Sequence, residues 1–501
     1  MLLKQGINIV KIDFQKLTIT SSTTTLFILN SSNWEKEIEE ISSFLKLDSL
    51  KQDLINNDFF NKKQLTFLSY QTYSKLIFIL KTCDSKKEIL SAGGLASSLL
   101  KDVEKSTIYL SNDFLNNDIL EGILLGFHNK LWYFNKYFQE KNKKHVSKIQ
   151  NITISYLGDT TITENMFQEV ISKVNNLHDS IVFTKELITE PANILTPQEF
   201  INRIKDLEIL GIQVEVIDED KAKDLKMGAF LSVGKASNNK SYIAILKWMG
   251  NPKSEKIYSL VGKGVTFDTG GLSIKPSASM ATMKKDMSGA AIAVGVLKNL
   301  ALSKSNINCI AVVGLAENSI SSNATRPSDV VTSMSGKTIE ILNTDAEGRM
   351  VLADVLHYTN ITYNPSFIID IATLTGAIIV SLGNQIAGLF SNNEELINNL
   401  NKASHVTAEP LWNMPLNTIA DYQESLKSEI ADLRNVSLSG DTPGSIYAAL
   451  FLQEFIGKTP WAHLDVAGVV WSNKSNPYQN QGATGYGVYL LSKFLSFYFN
   501  T

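Results

Sequence analysis

Apolar positions follow two spacings along the chain, which predict alternating helices and strands. Between residues 163 and 188 they recur close to every 3.6 residues, and Pro191 follows, so this segment is predicted to be one long helix. Short β-branched runs come after it, at 212–217, 242–247, 257–261, 307–313 and 367–371. Helical stretches such as 289–302 and 348–358 separate these runs. This order is typical of a largely parallel sheet with helices on both faces.

The residues before the long helix form a module of their own. Apolar runs at 76–80 and 107–110 have the character of strands and lie between helical stretches, which predicts an α/β fold. We therefore expect a two-domain α/β protein in which the long helix, roughly 35 to 40 Å long, joins the domains. The predicted parts are a smaller N-terminal α/β domain at 1–162, a linker helix at 163–190, and a C-terminal α/β/α sandwich at 191–501.

Composition and charge narrow the class of protein. With 44% hydrophobic and 19% charged residues over 501 positions, the chain is neither fibrous nor wholly disordered. The formal net charge of −3 provides no overall field to attract nucleic acid or an anionic membrane. Cys83 and Cys309 lie far apart, which favours reduced thiols. Without a basic start followed by an apolar run, or an apolar segment of spanning length, we expect a cytoplasmic protein that is not in a membrane.

Candidate chemistry begins where the run 257–261 ends. It continues into GKGVTFDTGG at 262–271, whose glycines are expected to let the backbone approach a ligand closely. Lys263 and Asp268 lie within this stretch, and Lys275 and Asp286 follow it. Taken singly, such an aspartate is most often a cap or turn residue, and such a lysine is most often solvated. In open parallel sheets, however, sites lie beyond the carboxyl ends of the strands, where these residues fall.

A second cluster comprises Asp345, Glu347 and Arg349. In an extended segment, spacing at i, i+2 and i+4 puts all three side chains on one side. Together with Asp268 and Asp286, the carboxylates would repel one another unless cations neutralised them, and oxygen ligands suit Mg²⁺, Mn²⁺ or Zn²⁺. A pair of divalent ions about 3.5 to 4 Å apart activates a bridging water, which points to hydrolysis.

These motifs together resemble the leucyl aminopeptidase family, the M17 metallo-exopeptidases. The segment NTDAEGRM at 343–350 departs from the family signature only at Met350, where leucine is usual. Further matches in family order occur at 190–193, 261–271, 326–330, 372–377 and 461–465. The resemblance runs from about residue 187 to the C-terminus and is faint before it, chiefly at 92–94 and 121–126.

The resemblance implies two divalent metal ions per subunit, Mn²⁺ or Zn²⁺. A tight ion would be held by Lys263, Asp268, Asp286 and Glu347, and a more exchangeable ion by Asp268, Asp345 and Glu347. A lysine ligand must be neutral, although its reference pKa is about 10.4. The implied activity is removal of the N-terminal residue from peptides, with the substrate amine near Asp286 and a hydroxide that bridges the ions as nucleophile.

The same resemblance implies roles for residues that do not bind metal. Lys275 would stabilise the developing oxyanion, and Arg349 would hold a bicarbonate that serves as general base. A pocket that prefers leucine-like residues would be lined by Met283, Thr373 and Gly376. The family also implies a homohexamer and a role in intracellular peptide turnover.

Two other classes of function stay open at this point. A DNA-binding or architectural role is disfavoured by the near-neutral charge, and a gel shift at moderate salt would reveal it. A two-metal phosphatase or nuclease would share the carboxylates but usually recruits histidines. The aminopeptidase reading requires none of the 6 histidines, and His463 is interpreted as structural.

Overall fold

The computed structural model describes residues 10–18, 24–56, 59, 66–70, 73–143, 146–416, 420–437 and 443–498. The chain divides into two compact units. The first comprises Met1–Asp179 and Lys474–Gln481, and the second comprises Ser180–Asn473 and Gly482–Thr501. The predicted domain boundaries at 162 and 190 stay a prediction.

The first unit contains a six-stranded sheet with the order β1-β6-β5-β2-β4-β3. All neighbouring strands are parallel except β3 and β4. The strands are β1 Lys11–Lys16, β2 Thr24–Asn30, β3 Thr66–Tyr70, β4 Tyr73–Lys81, β5 Lys105–Leu110 and β6 Asn151–Tyr156. The helices are α1 Trp34–Leu45, α2 Leu50–Asn56, α3 Lys86–Leu100 and α4 Asn117–Leu131, with short 3₁₀ helices at Asn112–Phe114 and Glu140–Asn142. The predicted strands at 76–80 and 107–110 are confirmed as parts of β4 and β5.

The long helix α5 extends over Glu164–Thr189 and confirms the helix predicted from the apolar spacing. The Thr163 hydroxyl accepts a hydrogen bond from the backbone N–H of Met166 at 3.3 Å, which satisfies one of the free donors at the helix start. Pro191 follows its end, where proline cannot continue a helix. In the described part of the chain, no helix combines the length and apolar character needed to cross a membrane.

The second unit is built on an eight-stranded sheet with the order β15-β14-β17-β13-β9-β10-β8-β7. Its four central strands, β17, β13, β9 and β10, are parallel to one another. The strands are β7 Gln213–Ile217, β8 Tyr242–Met249, β9 Tyr258–Asp268, β10 Asn308–Asn318, β11 Asp329–Thr332, β12 Thr338–Ile341, β13 Phe367–Ala372, β14 Ala387–Ser391, β15 Leu411–Asn413, β16 Leu433–Arg434, β17 Trp461–Asp465, β18 Trp471–Ser472 and β19 Gly482–Ala483. Strands β11, β12 and β16 form a small sheet, and β18 pairs with β19.

Helices cover both faces of this central sheet. The helices of the second unit are α6 Pro197–Lys205, α7 Glu219–Asp224, α8 Gly228–Gly234, α9 Ser277–Met280, α10 Ser288–Leu302, α11 Glu347–Tyr363, α12 Gly376–Leu382, α13 Glu394–Thr407, α14 Ala420–Glu424, α15 Gly444–Gln453 and α16 Val488–Ser496, with 3₁₀ helices at Asp206–Leu210 and Met283–Lys285. Successive residues of β9 face opposite sides, and Gly262 lies against Ala290 of α10 while Lys263 lies against Gly348 of α11. The predicted α/β/α sandwich is therefore confirmed.

Strand β9 corrects one expectation. The predicted strand ended at residue 261, and the glycines of the stretch after it were expected to let the backbone approach a ligand, but the strand continues to Asp268. A Cβ atom at Gly262 would lie 2.5 Å from the Cα of Ala290, and one at Gly264 would lie 2.7 Å from the carbonyl oxygen of Gly314. These two glycines thus serve close packing of helix and strand rather than approach to a ligand. As a consequence, Lys263 projects from a regular strand.

Candidate metal centre

The carboxyl ends of the parallel strands carry a group of polar residues. Asp268 ends β9, Asn318 ends β10 and Asp465 ends β17, while Thr373 directly follows β13. Each of these four side chains is less than 10% exposed, which is unusual for polar groups unless they are paired. The edge where these strands end is therefore the natural place for a site.

Lys263 lies at the centre of one half of this cluster. Its Nζ atom is 2.9 Å from Oδ2 of Asp286 and 2.8 Å from Oε1 of Glu347. It also donates a hydrogen bond of 2.9 Å to the carbonyl oxygen of Thr373. Because the lysine is 2% exposed, the facing carboxylates replace the water that would otherwise solvate its ammonium.

Lys275 connects the other half of the cluster. Its Nζ atom is 2.7 Å from Oδ2 of Asp268 and 2.5 Å from Oδ1 of Asp345. The other oxygen of Asp268 accepts hydrogen bonds from the backbone N–H of Gly270 at 2.9 Å and from Nδ2 of Asn318 at 2.7 Å. The structure therefore brings together all the residues that were predicted to bind metal, as well as Lys275.

Burial dominates the electrostatics of the carboxylates. Burial raises the pKa of Asp268, Asp286 and Asp345 above the ordinary range of an aspartate. The pKa of Asp286 is raised well above that range. Burial by itself would lower the pKa of Lys263, but the charges of Asp286 and Glu347 raise it above its usual value. The converging carboxylates thus favour a positive charge between them, which either the ammonium of Lys263 or a divalent cation beside a neutral lysine would supply.

The donor set fits a divalent cation. Oxygen atoms of Asp268, Asp286 and Glu347 all lie within 4.8 Å of one another. Three buried carboxylate oxygens form ion pairs with lysine ammonium groups, namely Asp286 Oδ2, Glu347 Oε1 and Asp345 Oδ1. Among the described residues, none of the three accepts a well-directed hydrogen bond. Carboxylate oxygens with spare acceptor capacity are the ligands that Mg²⁺, Mn²⁺ and Zn²⁺ use in oxygen-rich sites.

The second predicted cluster is not extended, which corrects another expectation. Asp345 lies in a turn, and α11 begins at Glu347, so the side chains of the cluster do not share one side of a strand. Arg349 instead donates a hydrogen bond of 2.6 Å from Nη1 to the carbonyl oxygen of Asn435. Its Nε atom is buried and finds no hydrogen-bond acceptor among the described residues, and burial lowers the pKa of Arg349 to about 10.

The three residues predicted to line a substrate pocket differ in their surroundings. Met283 lies half-buried in a 3₁₀ turn. Gly376 is exposed at the start of α12, where a Cβ atom would meet no described residue within 4 Å. The hydroxyl of Thr373 donates to Oδ1 of Asp286 at 2.7 Å. Thr373 is thus bonded to a predicted metal ligand, while its role in substrate binding stays a prediction.

Sequence reasoning did not assign roles to two residues of the site. Asn318 orients Asp268, and its Nδ2 also donates to the carbonyl oxygen of Thr344 at 3.1 Å. Asp465 accepts hydrogen bonds from the turn after β13. The sequence signals available were that Asn318 follows the predicted strand at 307–313 and that Asp465 lies in the family match at 461–465. His463, interpreted as structural, is fully buried and its Nδ1 lies 2.6 Å from Oδ1 of Asp370.

Most of the chain is similar in sequence to known proteins. The family model described as "Cytosol aminopeptidase family, catalytic domain" matches residues 182–492. A "Probable cytosol aminopeptidase" of Phytoplasma mali (strain AT) is 45% identical over 416 residues, 82% of this chain and 82% of that protein. Proteins with the same description from Ehrlichia ruminantium (strain Gardel) and Wolbachia pipientis wMel are 43% identical over 425 residues and 46% identical over 369 residues. These matches cover 83% and 73% of this chain, and 82% and 72% of the two relatives.

Proposed function

The chain belongs to the cytosol aminopeptidase family, and we propose that it is a two-metal aminopeptidase that removes the N-terminal residue from peptides. One observation carries this proposal beyond family membership. Asp268, Asp286 and Glu347 present buried oxygen atoms within 4.8 Å of one another at the carboxyl edge of a parallel sheet. Such a concentration of negative charge is typical of a site for divalent cations.

Two ions, Mn²⁺ or Zn²⁺, are proposed for this site. Lys263, Asp268, Asp286 and Glu347 would hold one, and Asp268, Asp345 and Glu347 would hold the other. When bound, the ions would supply Lewis acidity and the bridging hydroxide that attacks the peptide carbonyl. The arrangement of the ligands supports this assignment, because oxygen atoms of Asp268, Asp286 and Glu347 lie within 4.8 Å of one another and Lys275 contacts both Asp268 and Asp345.

Lys275 is proposed to stabilise the oxyanion that develops as the peptide bond is attacked. Its ammonium is held by Asp268 and Asp345 at the edge of the cluster, and its side chain is 14% exposed, so a substrate oxygen can reach it. A charge fixed in advance requires little reorganisation when the transition state forms. Asp286 is proposed to receive the free α-amine of the substrate, which would restrict cleavage to the first peptide bond.

Arg349 is proposed to bind a bicarbonate that accepts the proton of the attacking water. Its buried Nε atom has no acceptor among the described residues, and a small anion that accepts its hydrogen bond would compensate for its burial. The neighbouring Glu347 limits how much net positive charge is offered to this anion.

The remaining features of the proposal follow from family membership. We propose a preference for leucine-like N-terminal residues with a pocket of Met283, Thr373 and Gly376. We also propose a homohexamer in the cytoplasm, where the enzyme would take part in peptide turnover.

The proposed function is tested with purified protein and Mn²⁺. We expect cleavage of leucine p-nitroanilide, loss of this cleavage after treatment with EDTA, and recovery when Mn²⁺ is returned. The matched control is N-acetyl-leucine p-nitroanilide, which lacks the free amine and is expected to stay intact. Equal rates on the two substrates would contradict recognition of the amine, and hydrolysis of phosphoesters instead would favour a phosphatase.

A further inference from the structure

The carboxylate of Asp465 is fully buried at the end of β17 and is held by three donors. Its Oδ1 atom accepts hydrogen bonds from the backbone N–H groups of Leu374 at 3.1 Å and Ala467 at 3.2 Å. Its Oδ2 atom accepts a hydrogen bond of 2.7 Å from the hydroxyl of Thr375. A buried carboxylate is costly unless it is fully hydrogen-bonded, so this geometry is rigidly specified.

The turn held by Asp465 joins β13 to α12. Thr375 caps α12, because its hydroxyl oxygen accepts a hydrogen bond of 3.2 Å from the backbone N–H of Ile378. This one hydroxyl therefore connects the buried carboxylate to the first turn of the helix. Asp465 itself is fixed by the sheet, since it pairs in register with Ala372 at the end of β13.

The same turn contacts two proposed metal ligands through Thr373. The carbonyl oxygen of Thr373 accepts a hydrogen bond of 2.9 Å from Nζ of Lys263. Its hydroxyl donates to Oδ1 of Asp286 at 2.7 Å. A displacement of the turn would therefore move both partners of this threonine, and metal ligands bind well only when their own hydrogen-bond partners orient them.

We infer that Asp465 is a positioning residue for the metal centre. Acting through Thr375 and the turn at 373–375, its carboxylate holds Thr373 where it orients Lys263 and Asp286. This inference rests on the proposed function, because the ligand roles of Lys263 and Asp286 belong to that proposal. Asp465 itself contacts neither of the two ligands in the hydrogen bonds described above.

The inference is tested with Asp465→Ala, Thr375→Val and Thr375→Ser. Two quantities are measured: the Mn²⁺ dissociation constant of the metal-stripped protein by titration calorimetry, and kcat and KM on leucine p-nitroanilide. We expect Asp465→Ala and Thr375→Val to weaken Mn²⁺ binding and lower kcat about 10-fold or more, as for other residues that orient metal ligands. Thr375→Ser keeps the hydroxyl and is expected to behave like the wild type.

Asp354 offers a matched control in the same unit. It is also fully buried, and its carboxylate accepts backbone hydrogen bonds from Phe230 at 2.9 Å and Met334 at 2.7 Å. These donors lie outside the turn at 373–375. We expect Asp354→Ala to lower the melting temperature as much as Asp465→Ala does, while it leaves the Mn²⁺ dissociation constant at the wild-type value.

Equal Mn²⁺ affinity in Asp465→Ala and Asp354→Ala would overturn the positioning role, because Asp465 would then be purely structural. If Asp465→Ala does not fold, the Thr375 pair decides, and identical Mn²⁺ affinities of the Val and Ser variants overturn the inference. If the wild-type protein binds Mn²⁺ but cleaves no peptide substrate, the proposed function fails, and the comparison of Mn²⁺ affinities still decides the role of Asp465.

Discussion

Lys275 shows how a single side chain can be held ready for catalysis. Its ammonium lies 2.7 Å from Asp268 and 2.5 Å from Asp345, and these ion pairs raise the pKa of the lysine above its ordinary value although burial opposes this. The lysine therefore keeps its charge at neutral pH. Lys263 is more deeply buried than Lys275, because it is almost completely enclosed by Asp286, Glu347 and the carbonyl group of Thr373.

Replacement of Lys275 by alanine should lower kcat by about 10²- to 10³-fold, the typical loss when one donor to an oxyanion is removed. The bound Mn²⁺, measured by elemental analysis, should stay at the wild-type level, since Lys275 is not a proposed ligand. Lys223→Ala is the control, because Lys223 forms an exposed ion pair with Asp220 at 2.9 Å. An unchanged kcat in Lys275→Ala would rule out the oxyanion role.

At the scale of elements, the site depends on how closely α11 approaches β9. Gly348 lies one residue after the start of this helix, and a Cβ atom there would lie 2.5 Å from Cε and 2.7 Å from Nζ of Lys263. The absence of a side chain at this position leaves room for the lysine between helix and strand. On the opposite face of β9, the absence of a side chain at Gly262 likewise lets α10 pack closely against the strand.

Gly348→Ala should displace the end of Lys263 and weaken Mn²⁺ binding about 10-fold, the usual scale for disturbed ligand geometry. Because the clash involves the flexible end of a side chain, the protein should still fold, which circular dichroism would confirm. The control is Gly376→Ala, where the added methyl group meets none of the described residues within 4 Å and Mn²⁺ binding should be unchanged. Tight Mn²⁺ binding by Gly348→Ala would contradict a ligand role for Lys263.

The molecule as a whole is nearly neutral, but its charges are unevenly distributed. The chain has 47 Lys and Arg residues against 50 Asp and Glu residues, yet carboxylates converge in the buried cluster of the second unit. Burial raises the pKa of three of them, so their ionised forms oppose folding. A cation bound only by the folded protein would offset this cost and stabilise it by mass action.

Mn²⁺ should therefore raise the free energy of unfolding, by about 2.7 kcal/mol when free Mn²⁺ exceeds its dissociation constant about 100-fold. The measurement is thermal or urea unfolding of metal-stripped protein with and without Mn²⁺. Asp268→Asn alters a proposed ligand of both ions and should reduce the gain. Asp220→Asn changes an exposed carboxylate and should keep it. Identical unfolding with and without Mn²⁺ would refute metal binding at this site.

The amino-acid pattern alone determined the elements and the chemistry available to them. The apolar spacing from 163 to 188 located the helix Glu164–Thr189, because burial imposes a period on a helix. The β-branched runs located five of the eight strands of the central sheet, namely β7, β8, β9, β10 and β13. Glycines, carboxylates and lysines at 262–286 and 343–349 indicated a cation site. These features depend on residue types and local spacing, which a sequence displays directly.

Only the tertiary structure decided which of these groups meet. Thr373 bonds to Lys263 across 110 positions of sequence, because the strand order places β13 beside β9. Two further features depend on neighbours from distant segments. Gly262 packs against α10, and Asp465 accepts hydrogen bonds from Leu374 and Thr375. Contacts of this kind follow from strand order and register, which the local pattern of a chain does not contain.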